Sequence, residues 1–239
     1  AMQKIKVLRI IARLNIGGPA IHTVLLTEGL NKDRFDSLLI CGTIAKDEGD
    51  MLYYAQAKNV APHVILELRR ELNPPNDLIA FLKICKLIAQ EKPDIIHTHT
   101  AKAGTLGRLA GIFYNLLAGR RIKLIHTFHG HVFEGYFGRF KTRLFIFIER
   151  CLAYFSSRVI TVSSAVKEEL VSLGISGSDK IKVIPLGLEL DRFLELPFSR
   201  LPIQGIRDPD SSGKETGRCL NIGIVGRLVP IKNHRLFLE

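Results

Sequence analysis

The chain is short of cysteine, and the four it has, Cys41, Cys85, Cys151 and Cys219, lie far apart with no Cys-x-x-Cys pair. That spacing excludes a zinc knuckle or a dithiol redox motif and predicts reduced, mostly buried thiols. Long apolar runs are missing too: a run such as Leu144 to Ile148 is far below the roughly 20 residues that cross a bilayer. The N-terminal residues alternate apolar positions with Lys4, Lys6 and Arg9, which is not the pattern of a secretory signal. Gly-x-Gly-x-x-Gly is absent, disfavouring a nicotinamide or flavin enzyme. No helix-turn-helix, RNP-like or zinc-finger pattern gathers the basic residues, so nucleic acid is not an expected partner. Acidic residues are also in deficit, 23 against 34 Lys and Arg, and the resulting net charge of +11 favours nucleotide phosphates or an anionic membrane surface.

What is present is enough apolar material, 46% of 239 residues, to bury one sizeable core and part of a second. Apolar, partly β-branched runs at 6–12, 37–41, 63–66, 94–98, 123–125, 159–162 and 182–185 read as strands. Helical patterns follow most of them, at 19–30, 49–58, 73–90 and 102–117 and from Ser163-Ser164 onward. In the helix over 73–90 the residues expected to face the core are Leu78, Phe81, Leu82, Cys85 and Ile88; in the first helix they are Ile21, Val24, Leu25 and Leu30. Strict alternation of strand and helix predicts an α/β fold, a Rossmann-like doubly wound parallel sheet covered on both faces. This first domain is expected over 1–196. A Pro-, Gly- and Ser-rich linker follows at 197–218, and 219–239 supplies only the first strand and helix start of a second, truncated Rossmann-like domain.

The chemistry-bearing residues gather past strand ends, where open α/β sheets bind ligands. After Lys123-Leu124-Ile125 comes His126-Thr127-Phe128-His129-Gly130-His131, read as a strand running out into a loop, and after Asp94-Ile95-Ile96 come His97 and His99. The first strand ends in a Gly17-Gly18-Pro19 turn before a helix, an arrangement that offers backbone N–H groups to phosphate or a polar sugar. Ala103, Gly104 and Gly107 permit close helix approach, while Lys102 and Arg108 are expected on an exposed helix face or toward anions. Val132 to Arg158 is dense in aromatic and basic residues and reads as a basic amphipathic segment.

The chain resembles the GT-B glycosyltransferases of glycosyltransferase family 4. The residues that carry the resemblance are Gly17-Gly18, His97-Thr-His-Thr-Ala-Lys-Ala-Gly104, Phe128-His129-Gly130-His131, Val162-Ser163-Ser164 with Lys167, Ile184-Pro185-Leu186-Gly187, and Gly226-Arg227-Leu228 with Lys232-Asn233-His234. The resemblance implies two Rossmann-like domains, an acceptor side first and a donor side second. It also implies transfer of a sugar from a nucleotide-sugar donor, UDP-linked, to a polysaccharide or lipid-linked acceptor, with retention of configuration and without a metal or other cofactor. By position, Gly17 and Gly18 approach the donor diphosphate or the acceptor, and His129, with His131 as the alternative, contacts the donor sugar near the reacting carbon. Arg227 and Lys232 neutralise the diphosphate leaving group, and His99, Lys102 and Ser163 line the acceptor side of the cleft.

The implied setting is cell-envelope glycan synthesis in the cytoplasm, peripheral at the inner face of the membrane. The two glutamates of the family's donor domain are expected beyond Glu239, so the 239-residue chain is expected to be inactive by itself. Competing readings are a UDP-sugar 2-epimerase of the same fold, a non-catalytic module that binds membrane or a partner through Val132 to Arg158, and a metal site drawn from His97, His99, His126, His129 and His131.

Overall fold

The computed structural model describes residues 3–45, 48–119, 121–130, 139–189 and 191. The expectations that fall on His131, Arg227 and Lys232, on 197–218 and on 219–239 lie outside the described residues. The first compact unit is Ala1–Leu188. Its strands are β1 (Ile5–Ile11), β2 (Phe35–Gly42), β3 (His63–Ile65), β4 (Ile95–His99), β5 (Lys123–Phe128), β6 (Arg158–Thr161) and β7 (Ile181–Val183). The helices between them are α1 (Gly18–Glu28), α2 (Leu52–Ala57), α3 (Pro74–Glu91), α4 (Ala101–Ala118), α5 (Arg139–Phe155) and α6 (Ser164–Ser172).

All neighbouring strands pair in parallel, in the order β3-β2-β1-β4-β5-β6-β7. The unit is an α/β, Rossmann-like doubly wound sheet. One face packs Ile11, Leu39 and Cys41 against Ala20 and Val24 of α1 and Ala55 of α2. The other packs Leu8, Ile10, Ile40, Ile96 and Leu124 against α3 and α4, and Phe128 and Val159 against α5 and α6. Burial on both faces explains why β1 reads Ile-Lys-Val-Leu-Arg-Ile-Ile rather than alternating cleanly. Chain order reverses between β1 and β4, the topological switch point beyond which ligands bind in such sheets.

Caps set several of the helix starts. Asn73 accepts a hydrogen bond from the Asn76 backbone N–H at 3.1 Å, with proline in the first turn and Asp77 complementing the helix dipole. The small residues of α4 are demanded by its approach to the sheet. A Cβ on Gly104, Gly107 or Gly111 would stand 2.5 Å from His126 Cε1, 2.7 Å from Thr98 Cγ2 or 2.5 Å from Leu124 Cδ2.

Four local expectations are corrected. The histidine run does not leave the sheet at Ile125: β5 continues to Phe128, so His126 and Thr127 are strand residues. The core face of α3 is Ala80, Ile84 and Ile88, with Phe81 and Cys85 partly buried, whereas Leu78 and Leu82 point outward. α1 buries His22, Thr23 and Thr27 beside Ala20 and Val24, and leaves Ile21 and Leu25 only half-buried. Arg108, expected on an exposed helix face, is fully buried.

Candidate active site

At the switch point the end of β1 is held in place by its neighbours. Gly42 N–H donates to Ala12 O at 3.1 Å, Met51 N–H to Leu14 O at 2.9 Å and Ile16 N–H to Gly49 O at 3.0 Å. Arg13 adds an ion pair to Glu48 at 2.7 Å. Across the crevice, Ala12 N–H donates to the Thr100 hydroxyl at 3.3 Å. Thr100 sits at φ 66°, ψ 156°, a region essentially reserved for glycine and costly for a β-branched residue. Backbone strain is therefore concentrated where β4 turns into α4, at the crevice itself.

The loop after β1 delivers the start of α1. Gly17 is extended, no side chain caps the helix, Pro19 occupies the first turn, and that turn carries no acidic residue. Pro19 has no N–H, and the Ala20 and Ile21 N–H groups donate to Gly17 O at 3.2 and 3.3 Å, so what this end of α1 offers an anion is the Gly18 N–H and the positive end of the helix dipole. The fold does not require glycine here: a Cβ on Gly17 would meet only Pro19 Cδ at 3.8 Å, and one on Gly18 nothing within 4 Å. Both positions therefore face open space.

Strand periodicity builds the opposite wall. His97, His99 and Thr127 fall on the α1 side of β4 and β5, and His129 follows one residue past β5; Thr98, His126 and Phe128 fall on the α4 side. On the α1 side the imidazoles stack in sequence. His97 and His99 have centroids 4.2 Å apart, His99 and His129 5.2 Å, and His22 of α1 meets His129 edge-on at 5.3 Å. Two hydrogen bonds hold them: His97 Nε2 with Thr127 Oγ1 at 2.8 Å, and His99 Nδ1 with His129 Nε2 at 3.0 Å. His99 is fully buried and His129 half-buried. His22 Nδ1, His99 Nε2 and His129 Nδ1 have no hydrogen-bond partner among the described residues.

These rings are uncharged at neutral pH. Burial brings His129 down to about 4, with His22 adding to the effect. Burial and then Arg9 lower His22 and His97, and burial and then His97 and His129 hold His99 far below the ordinary range. Arg9, the register partner of His97 on β1, is itself buried; its Nη1 donates to Ser37 Oγ at 2.8 Å, and burial lowers it to about 10.

On the α4 side, His126 Nδ1 bonds Thr98 Oγ1 at 2.8 Å beneath Gly104. Nearby, Arg108 Nη2 donates to both oxygens of Glu149 of α5, at 2.9 and 2.7 Å, and neither side chain reaches solvent.

Of the residues expected at the site, His99 and His129 are brought into direct contact, and Gly17 and Gly18 form the start of α1. Lys102, one residue into α4, is engaged with Asp77 at 2.5 Å and with the Glu71 carbonyl. Ser163 caps α6, its hydroxyl accepting from Val166 N–H at 3.3 Å. Sequence reasoning missed His22, Arg9 and Thr100. A histidine beside Thr23 on one side of α1, and an arginine interrupting the apolar β1, were the available signals for the first two. Among the described residues no three His, Cys, Asp or Glu side chains are grouped so as to hold a metal ion. An open groove of about 250 Å³ lies far from this site, at the β3 edge, between His63, Lys83, Lys86 and Gln90.

The chain matches Glycosyltransferase Family 4 over residues 16–192. It is 31% identical over 215 residues to UDP-Gal:alpha-D-GlcNAc-diphosphoundecaprenol alpha-1,3-galactosyltransferase of Escherichia coli, covering 89% of this chain and 51% of that one. The chain spans about half the length of the curated relatives it matches. Among solved structures, a glycosyltransferase from Rickettsia africae ESF-5 shares the fold at TM-score 0.57 and 19% identity, covering 83% of this chain and 48% of that one. A UDP-N-acetylglucosamine 2-epimerase from Rickettsia bellii shares it at TM-score 0.55 and 15% identity, covering 80% and 48%. With the family matched across most of its length, this chain belongs to glycosyltransferase family 4.

Proposed function

We propose that the protein works as a retaining glycosyltransferase of cell-envelope glycan synthesis, moving a sugar from a UDP-linked donor to a lipid-linked or polysaccharide acceptor. The observation that carries this is a pairing across one crevice. Uncharged imidazoles at the ends of β4 and β5 suit the hydroxyls of a saccharide, and the uncapped start of α1 suits a diphosphate. In this reading His129, with His131 in reserve, contacts the sugar. Gly17 and Gly18 admit the diphosphate or acceptor, and Arg227 and Lys232 offset the charge that builds on the leaving diphosphate. His99, Lys102 and Ser163 shape the acceptor side. Transfer proceeds without a metal. The Asp208-Pro209-Asp210 triplet lies in the Pro-, Gly- and Ser-rich stretch, so this expectation rests on the resemblance and the two cations. The Escherichia coli relative, a UDP-Gal:alpha-D-GlcNAc-diphosphoundecaprenol galactosyltransferase, supports the choice of UDP-sugar and diphosphate-linked lipid.

The test is incubation of this chain, completed by a donor domain, with a panel of UDP-sugars and a GlcNAc-diphosphoryl-lipid, read by mass spectrometry. Gain of one sugar on the lipid supports the reading. Conversion of UDP-GlcNAc to its 2-epimer with no acceptor present overturns it in favour of an epimerase, whose fold this chain shares.

The protein's proposed place is the cytoplasmic surface of the membrane. No helix among the described residues is long and apolar enough to cross a bilayer. α5, however, exposes Leu144, Phe147, Tyr154 and Phe155 along one stripe, with Lys141 and Arg143 exposed nearby. Co-sedimentation with vesicles containing anionic lipid, lost on replacing Phe147 and Tyr154 with serine, supports this placement. Equal binding by the variant contradicts it.

A further inference from the structure

A helix that covers a sheet buries one side and turns the other outward, and in water that outward side is normally polar. On α3 and α4 it is not. Ala80, Ile84 and Ile88 turn one side of α3 to the sheet, and the side away from it carries Leu78 and Leu82, each more than half exposed. On α4 the small residues Ala103, Gly104, Gly107 and Gly111 meet the sheet. Leu109, Phe113, Leu116 and Leu117 lie away from it, the last two 77% and 71% exposed. Steps of three and four residues keep each group on one side of its helix, and the rings of Phe81 and Phe113, with centroids 6.3 Å apart, join the two stripes into one apolar face.

The polar side chains of α4 do not relieve this. Lys102 is paired with Asp77 and Arg108 with Glu149. The Thr105 hydroxyl donates to Ala101 O at 3.0 Å, and Asn115 both donates to Ile122 O and accepts from Ile122 N–H. Charge is one-sided as well. α4 has no acidic residue, and the two on α3, Asp77 and Glu91, are ion-paired to Lys102 and Lys6. Exposed cations border the face: Lys86, one turn beyond Leu82, and Arg121 and Lys123, just past the end of α4. A protein partner would find few hydrogen-bonding groups here, where interfaces usually supply them throughout. A second copy would add its own Lys86, Arg121 and Lys123, with no unpaired carboxylate on either helix to meet them. Acyl chains beneath anionic headgroups match both the apolar face and its cationic border.

We propose that the outer face of α3 and α4 is a bilayer-docking surface that seats Leu82, Phe113 and Leu116 in the acyl region of an anionic membrane. It is distinct from the stripe on α5, and α4 lies between α3 and α5 on the same side of the sheet. Helices that connect parallel strands run against them, so α3 and α4 both begin at the crevice edge. From Lys102 to Leu117 the face then extends about 22 Å toward the opposite edge. Docking along it brings the crevice to the membrane surface, within reach of a diphosphate headgroup whose lipid chain stays in the bilayer. That last consequence rests on the lipid-linked acceptor proposed above; the docking itself does not.

The sequence has no tryptophan, so one introduced indole reports its own surroundings. Phe113→Trp on α4 and, separately, Phe147→Trp on α5 are mixed with phosphatidylcholine vesicles with and without phosphatidylglycerol, and with vesicles whose acyl chains are brominated. The expected result is a blue shift of the Phe113→Trp emission on phosphatidylglycerol-containing vesicles and quenching by the brominated chains. If that variant does not fold, Leu116→Trp reports from the same face. Leu82→Ser with Leu116→Ser, at exposed positions, is expected to keep the circular dichroism of the parent and to lower vesicle partition at least about 10-fold. Emission at 113 that vesicles leave unmoved overturns the proposal, and with a shift at 147 it leaves the α5 placement standing. A shift at 113 without one at 147 supports the proposal and removes α5 from the membrane. Equal partition of the double serine variant overturns the proposal, and equal partition onto phosphatidylcholine alone overturns the choice of an anionic surface. A blue shift that grows with protein concentration in the absence of lipid makes a second copy the occupant and also overturns it.

Discussion

Arg108 of α4 and Glu149 of α5 form an ion pair in which neither side chain is exposed, with both Glu149 oxygens accepting from Nη2. Arg108 Nε also donates to its own helix at Gly104 O, 2.8 Å away, directly above His126. The pair thus ties the helix that carries the exposed apolar stripe to the helix that backs the histidine wall.

Removing one partner leaves a buried charge alone, so Glu149→Leu is expected to cost about 3–5 kcal/mol. The double variant Arg108→Met, Glu149→Leu is expected to recover most of that loss, because it buries no charge. Urea unfolding followed by circular dichroism measures both. Equal loss in the single and double variants would show that packing, not charge, is what the site requires.

The histidine wall makes stability depend on pH, and the sign follows from the lowered values. Above the ordinary imidazole value of 6.5, neither the folded nor the unfolded chain holds these protons, and stability is flat. As pH falls below 6.5, the unfolded chain takes up protons that the folded chain refuses, and stability declines toward the folded value of about 4 for His129. Each such group contributes a slope of about 1.4 kcal/mol per pH unit. His129→Asn should reduce the slope by one group's share. Denaturation midpoints measured across this window check it, and stability that rises on acidification would contradict it.

The two kinds of glycine should separate cleanly. A Cβ on Gly18 meets nothing, so Gly18→Ala is expected to leave stability within about 0.5 kcal/mol while weakening UDP-sugar binding. A Cβ on Gly42 would lie 1.6 Å from Leu68 O and 2.5 Å from Ala12 O, so Gly42→Ala should cost at least about 3 kcal/mol. Thermal melts and ligand titration together distinguish them; unchanged binding by Gly18→Ala would remove the start of α1 from the site.

Thr100 should reverse the usual order of alanine and glycine. Thr100→Ala loses the hydroxyl that accepts from Ala12 N–H and keeps the strained backbone. Thr100→Gly loses the same bond but relieves strain of about 1–3 kcal/mol. The glycine variant is therefore expected to melt at or above the alanine variant, and the opposite order would mean that the turn relaxes away from this conformation.

Much of the fold was legible because the strands carry their signal locally. Ile5–Ile11, Phe35–Gly42 and Ile95–His99 are largely apolar runs ended by polar turns, and alternation with helices leaves a parallel sheet as the economical arrangement. The site was legible in part for the same reason: Gly17, Gly18, His99 and His129 all sit at or beyond strand ends. What periodicity could not show was which buried face would be polar. His22 packs against His99 and His129, and Thr23 and Thr27 are buried beside it, so the core-facing side of α1 does not look apolar. Nor could it show a partner 41 residues away, as Glu149 is from Arg108. The same blindness placed Leu78 and Leu82 inward, when Ala80 and Ile84, with the expected Ile88, are what α3 buries.

The proposed chemistry is centred on the crevice between the start of α1 and the wall of His99 and His129. Chemical-shift mapping of the labelled chain with millimolar UDP-galactose tests it most directly. Binding there shifts the Gly17 and Gly18 amides and the His129 ring together, and the shifts weaken in Gly18→Ala. Perturbation confined to the groove of His63, Lys83, Lys86 and Gln90, with the His129 ring unmoved, would contradict it.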